Sequence, residues 1–201
     1  MSNNPHTVPK DGFIGTGNKA SVYNAVTSPH HNVALASASE YVLGQKIRYY
    51  NKALGNFGTC IYLRYSAGDE TLAAGYPVAL DPALDDPHYV TGDASTFAGL
   101  VQAPTAIALS PMTTTNVGWF WCGGACPDMA IIGGASAFSA VTVATDDSIV
   151  AGSGFESDGA TDGHIEKAST GTTLPCMGIA LADDGGVTTD MANLLLFDNW
   201  A

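Results

Sequence analysis

Charge is what this sequence has least of. Only 13% of its 201 residues are Asp, Glu, Lys or Arg, where a globular domain carries about a quarter. Amphipathic helices need charged outer faces, so the shortage excludes them as the main architecture. Basic residues are scarcer still: seven Lys and Arg stand against nineteen Asp and Glu, for a net charge of −12. After Arg64 the single basic residue is Lys167, against seventeen acidic ones, so residues 65–201 carry −16 while residues 1–64 carry +4. The acidic part repels phosphates, which excludes nucleic acid as a partner of the whole chain.

Long apolar runs are also missing. The opening MSNNPHTVPK has no hydrophobic core of the signal-peptide type, so the sequence gives no sign of export. The uncharged stretch between Asp128 and Asp146 is broken by Gly133, Gly134, Ser136 and Ser139, and is too short and polar to span a bilayer. No membrane partner is expected. Cysteine is sparse too: Cys60, Cys122, Cys126 and Cys176, with no export signal, read as reduced thiols rather than a disulfide framework.

What is plentiful is glycine, 23 residues, which suits many short strands joined by turns. The length suits one domain, with or without an ordered arm. Residues 1–35, rich in Asn, Pro, His, Ser and Gly, show no sustained period and are read as an extended N-terminal arm; residues 36–201 are read as a single β domain. In KIRYYNKALGNFGTCIYLRY, Ile47 and Tyr49 alternate with Lys46, Arg48 and Tyr50, which predicts a hairpin around residues 51–57. Beyond it one grammar repeats, an apolar run and then Gly, Asp, Pro or Thr: YPVAL, FAGLVQA, VGWFWCGG, AVTVATDD, SIVAGSG, HIEKAST, CMGIALADDGG and NLLLFDNW. This predicts an all-β fold, a barrel or sandwich. Residues 93–97 and 190–193 are the two stretches that could form a short helix.

GWFWCGGACPDMAII, residues 118–132, concentrates the candidate chemistry. Cys122 and Cys126 are spaced C-x3-C with no ligand between them, and Pro127 follows instead of a helix. Structural zinc needs four ligands, and a redox pair needs C-x-x-C ahead of a helix, so buried apolar thiols are the expectation. The stretch is predicted to form a strand over 118–122, a glycine turn, and a second strand near 129–132. Trp119 and Trp121 then share one face, one anchoring the core and the other available for a subunit contact.

Other motifs fail on a named position. GFIGTGNKAS would need lysine where Asn18 stands to be a phosphate loop. DGATDG imitates a calcium loop, but Ala160 and Ser169 occupy ligand positions. The adjacent pairs Asp85/Asp86, Asp146/Asp147 and Asp183/Asp184 mark solvated turns, and Gly152, Ser153 and Gly154 lack the form of a nucleophile elbow. His88 and His164 are isolated. No catalytic residue, cofactor or metal is expected, and the chain is not read as an enzyme.

The order YVLGQKIRYY, CIYLRYSAGDETLAAGYPVAL, STFAGLVQAP, NVGWFWCGG, DSIVAGSGF, HIEKAST, CMGIALADDGG and ANLLLF resembles small tailed-phage head proteins that decorate or cement the outer capsid surface. The likeness spans about residues 40–201. It implies a β-barrel-like or tulip-like body without catalytic residues, made in the host cytoplasm and located on the virion. The major capsid protein is the implied partner, the body forms homo-oligomers (dimer or trimer), and a terminal arm laces across coat subunits. Lys10, Lys19, Lys46, Arg48, Lys52 and Arg64 are the candidate capsid-facing residues, with the acidic part turned outward. The competing reading is a phage fibre or adhesin module, in which Trp119, Trp121 and Tyr89 stack on sugars.

Overall fold

The computed structural model describes residues 33–34, 41–51, 55–66, 72–81, 87–93, 103–109, 111–127, 141–143, 149–157, 163–168, 176–183, 190–191 and 193–200. The described part is all-β: thirteen strands in one sheet of mixed pairing. They are β1 (Val33–Ala34), β2 (Lys46–Asn51), β3 (Asn56–Tyr65), β4 (Pro77–Leu80), β5 (Tyr89–Thr91), β6 (Thr105–Ala108), β7 (Asn116–Ala125), β8 (Val141–Val143), β9 (Gly154–Ser157), β10 (His164–Lys167), β11 (Cys176–Ala180), β12 (Asp190–Met191) and β13 (Leu194–Leu196).

Two ten-residue strands, β3 and β7, organise everything else. They pair antiparallel along most of their length, from Gly58 opposite Gly124 to Arg64 opposite Val117. From β7 the pairing passes to β6, then β4, then β5, and β5 returns to β3 by a parallel pairing of Tyr89 and Val90 with Arg64 and Tyr65. The hydrogen-bonded circuit therefore closes on itself over five strands. The other half of the sheet leaves β7 at its far end, where Leu195 and Leu196 of β13 pair with Ala125 and Gly124. It continues through β11, β9, β10, β8 and β12.

Successive side chains on a strand point to opposite faces, so β3 and β7 each feed two cores. Ile61, Leu63, Tyr65, Phe120 and Cys122 point into the five-strand circuit, with Val78, Val90, Ala106 and Ala108. Cys60, Tyr62, Trp119 and Trp121 point the other way and meet Phe155, Ile165, Met177, Leu194 and Leu196 of the second half. A strand buried on both faces reads as a nearly continuous apolar run. This is the physical reason for the density of CIYLRY and VGWFWC.

The hairpin predicted around residues 51–57 forms, with six registered pairs between β2 and β3. Three local expectations are corrected. The glycine pair after Cys122 makes no turn: β7 runs through Gly123 and Gly124 to Ala125. Cys122 is the extra residue of a bulge, since Thr59 faces Gly123 while Cys60 faces Trp121. Gly124 has φ +69°, and a Cβ there would lie 2.2 Å from the Phe57 carbonyl oxygen. The glycines thus permit close strand approach at the bulge. Of SIVAGSG, the described residues 149–153 form a turn rather than a strand, because Ser153 bonds back to Val150 and β9 begins at Gly154. Residues 190–191 are strand β12, not helix. The predicted strand at 129–132, FAGLVQA up to residue 102, and the helix over 94–97 lie outside the described residues. Residues 33–34, within the stretch read as the arm, are a strand of the sheet paired to Val117 and Asn116.

Candidate functional site

Of the six candidate capsid-facing basic residues, Lys46, Arg48 and Arg64 are described, while Lys10, Lys19 and Lys52 lie outside the described residues. The structure does not bring these three together. Lys46 and Arg48 alternate with the core residue Ile47 on β2 and so share the face opposite it. Arg64 follows Cys60 and Tyr62 in parity and lies on the other face of β3.

Two of the three are also committed within the chain. Arg64 donates from Nε to the Thr115 carbonyl at 3.0 Å, and its guanidinium lies 4.8 Å from the Tyr89 ring centre while also donating to the Tyr89 hydroxyl. Tyr89 is thereby half-buried under a cation rather than presented as a sugar platform. Lys46 Nζ donates to Asp198 Oδ1 at 2.8 Å and to the Trp200 carbonyl at 2.5 Å. Arg48 is exposed, its guanidinium 4.9 Å from the Phe57 ring centre.

The Lys46 contacts belong to a seam that the sequence did not disclose. At the start of β6 the neighbouring strand β7 bulges at Cys122, and the chain after β13 fills the gap. Asn199 accepts from the Thr105 N–H at 3.3 Å and donates to the Ala103 carbonyl at 3.2 Å. Trp200 donates from its indole to the Thr105 carbonyl at 2.8 Å and packs into the core of the five-strand circuit. Asp198 lies so close to Gly123 that a Cβ on the glycine would come within 2.6 Å of the Asp198 Cβ. NLLLFDNW carried a signal for a strand but none for this sealing role. The isolated tryptophan after a polar Asp-Asn pair was the available hint.

Trp119 and Trp121 are both inside the chain's own core, 1% and 0% exposed. Neither presents surface to a second chain or to a sugar, which corrects the expectation of a subunit contact at either one. Trp119 packs with Tyr41 and Tyr62 at centroid distances of 5.0 Å, and Trp121 donates its indole N–H to the Gly123 carbonyl at 3.0 Å. The bulge therefore also supplies the acceptor that a buried indole needs.

All four cysteines are free; Cys60, Cys122 and Cys126 are buried and Cys176 is exposed. Burial pushes the Cys60 thiol far above its ordinary range. Burial likewise raises Cys122, helped by nearby Asp198 and Cys60 and opposed by Lys46 and a backbone hydrogen bond. These thiols behave as small apolar core residues. Among the described residues no group of three or more His, Cys, Asp or Glu side chains is placed to hold a metal ion. Ser153, in the segment resembling an elbow, donates its hydroxyl to the Val150 carbonyl at 2.5 Å and stabilises the turn.

Compared with protein families, curated proteins and solved structures, the chain matches none of them.

Proposed function

We propose that this protein is a structural virion component that binds the outer surface of an assembled phage capsid and stabilises it, as a homo-oligomer with the major capsid protein as its partner. The observation that carries this reading is the position of β1. Val33 and Ala34 are paired onto the start of β7, so the segment ahead of them, which contains Lys10 and Lys19, leaves from a fixed point on an all-β body. A body with a tethered polar segment can cover much shell surface with few residues, at the entropic cost of ordering that segment. A protein that binds only the assembled shell stabilises it by mass action, and many copies on a symmetric lattice add their effects. Among the three described candidate residues, Arg48 is the exposed one and so the one able to reach a coat surface; Lys46 and Arg64 act first within the fold.

The test is the copy number of this chain in purified virions, measured by quantitative mass spectrometry against the major coat protein. Hundreds of copies are expected, together with a rise in shell melting temperature when the chain is added to stripped particles. A handful of copies would assign it to a fibre or tail, and absence from the particle would end the reading.

A further inference from the structure

The order of strands in the sheet ends at β12 and at β2, and of these two only β2, with six residues, is long enough to template a further strand. Among the described strands its one partner is β3. The phase of that ladder follows from the bonds just ahead of it: Tyr62 N–H donates to the Gln45 carbonyl, and the Tyr62 carbonyl accepts the Gly44 N–H. The Gln45 backbone therefore faces β3, and alternation turns Ile47, Tyr49 and Asn51 the same way. The backbone N–H and C=O groups of Lys46, Arg48 and Tyr50 point out of the sheet, and no described backbone group meets them. An edge about 20 Å long thus carries an unused row of donors and acceptors.

Charge decides what such a row accepts. Between Glu40 and Asp69 the chain has no acidic residue, and Lys46, Arg48, Lys52 and Arg64 all fall there, in a chain of net charge −12. Lys46 is paired with Asp198, whereas Arg48 is exposed and forms no ion pair with a described residue. A second copy of β2 laid along this edge would bring the basic side chains of the two copies together on one face. Like charges across a strand pair are destabilising, so the edge disfavours its own twin. The same rule favours a strand that sets a carboxylate beside Arg48.

We propose that the open edge of β2 is where the shell engages this protein: an extended acidic segment of the coat protein adds to it as a further strand. The backbone of that segment bonds to Lys46, Arg48 and Tyr50, and one of its carboxylates pairs with Arg48. In this mode of recognition the main chain supplies affinity and the side chains choose the strand. The inference rests on the coat partner of the proposed function and gives that partner a docking edge and a chemistry.

The experiment uses the full chain, alone and added to stripped particles. Binding is read by co-sedimentation, and amide hydrogen exchange over residues 46–51 by mass spectrometry. In the free chain the amides of Lys46, Arg48 and Tyr50 should exchange quickly, and those of Ile47 and Tyr49 slowly. On the particle the first three should slow about tenfold or more. Arg48→Pro removes one outward N–H at a position where an edge strand tolerates proline, because the ladder to β3 does not use that group. It should bind about tenfold more weakly than Arg48→Ala, which removes the charge alone. Arg48→Glu should bind about tenfold more weakly than the wild type, while Arg48→Lys keeps binding. If far-UV circular dichroism shows that Arg48→Pro does not fold, the exchange result on the wild type decides alone. Unchanged exchange on the particle, Arg48→Pro binding as well as Arg48→Ala, or Arg48→Glu binding as well as the wild type would each overturn the inference. So would outward amides that are already slow in the free chain: at every concentration, the edge would belong to a segment of the same chain, and only at high concentration, to a second copy. A wild-type chain that does not bind particles would instead end the proposed function, and the coat as occupant with it.

Discussion

Gly124 and Gly55 both have positive φ, +69° and +64°, yet their surroundings differ completely. A Cβ at Gly124 meets backbone at 2.2 Å, whereas nothing lies within 4 Å of one at Gly55. Gly124→Ala combines left-handed strain with a collision against atoms that cannot rotate away, and should cost about 3 kcal/mol or more. Gly55→Ala carries the conformational cost alone, about 1 kcal/mol. Urea midpoints for the two variants test the distinction, and equal losses would show that the bulge tolerates the methyl group. The buried thiols give a second prediction, in pH. Cys60 ordinarily ionises near 9.0 and is held neutral far above that in the fold; Cys122 is raised in the same direction. Below pH 9.0 both folded and unfolded chains keep these protons. Above it the unfolded chain releases them and the folded chain does not, so stability falls as pH rises. The slope is about 1.4 kcal/mol per pH unit for each thiol. Denaturation at about pH 8 and about pH 10 should show the loss, and Cys60→Ala should reduce it. An unchanged slope in that variant would remove Cys60 as a cause.

At the scale of elements, the seam between β6 and β7 is closed by side chains and not by a strand. Trp200→Ala should destabilise the protein by about 3 kcal/mol, since it empties part of the circuit's core and leaves the Thr105 carbonyl without its donor. Lys46→Met should cost about 0.5 kcal/mol, because its ion pair with Asp198 is roughly one-third exposed on each side. Denaturant titration of both variants checks the ranking; a Lys46 effect equal to that of Trp200 would shift the weight of the seam to the ion pair. This seam also marks how far the sequence could be read. The long strands β3 and β7 were legible because burial on both faces makes them dense in Ile, Tyr, Trp and Phe. β10, β11 and β13 were legible as apolar runs ended by turn residues. TAIA, which forms β6, was passed over because small side chains carry little apolar signal. The two-residue strands β1 and β12 are too short to have a period. Glycines that permit close approach look like glycines that make turns, so Gly123 and Gly124 were misread. The basic residues were legible as a group but not as faces. Parity on a strand follows only once Ile47 and Tyr62 are known to point into a core, and that depends on pairings distant in sequence.

In the whole molecule the two cores share β3 and β7 as a common wall, and this decides how the protein unfolds. Detaching the second half would expose Tyr62, Trp119 and Trp121 on that wall to water, a cost of several kcal/mol in lost apolar burial. The halves are also joined in the opposite sense. The chain leaving β13, a strand of the second half, delivers Trp200 into the circuit's core. Neither half can therefore open without damaging the other's packing, and one cooperative transition is expected. Leu63→Ala, in the circuit, and Phe155→Ala, in the second core, should each lower the same transition, by about 2–5 kcal/mol, without splitting it. Tryptophan fluorescence samples both cores, because Trp119 and Trp121 lie in one and Trp200 in the other. It should therefore coincide with far-UV circular dichroism across the denaturant range for the wild type and both variants. A fluorescence transition that separates from the loss of strand signal in Phe155→Ala would mean that the five-strand circuit stands alone. In that case the shared wall would be only a contact between two units.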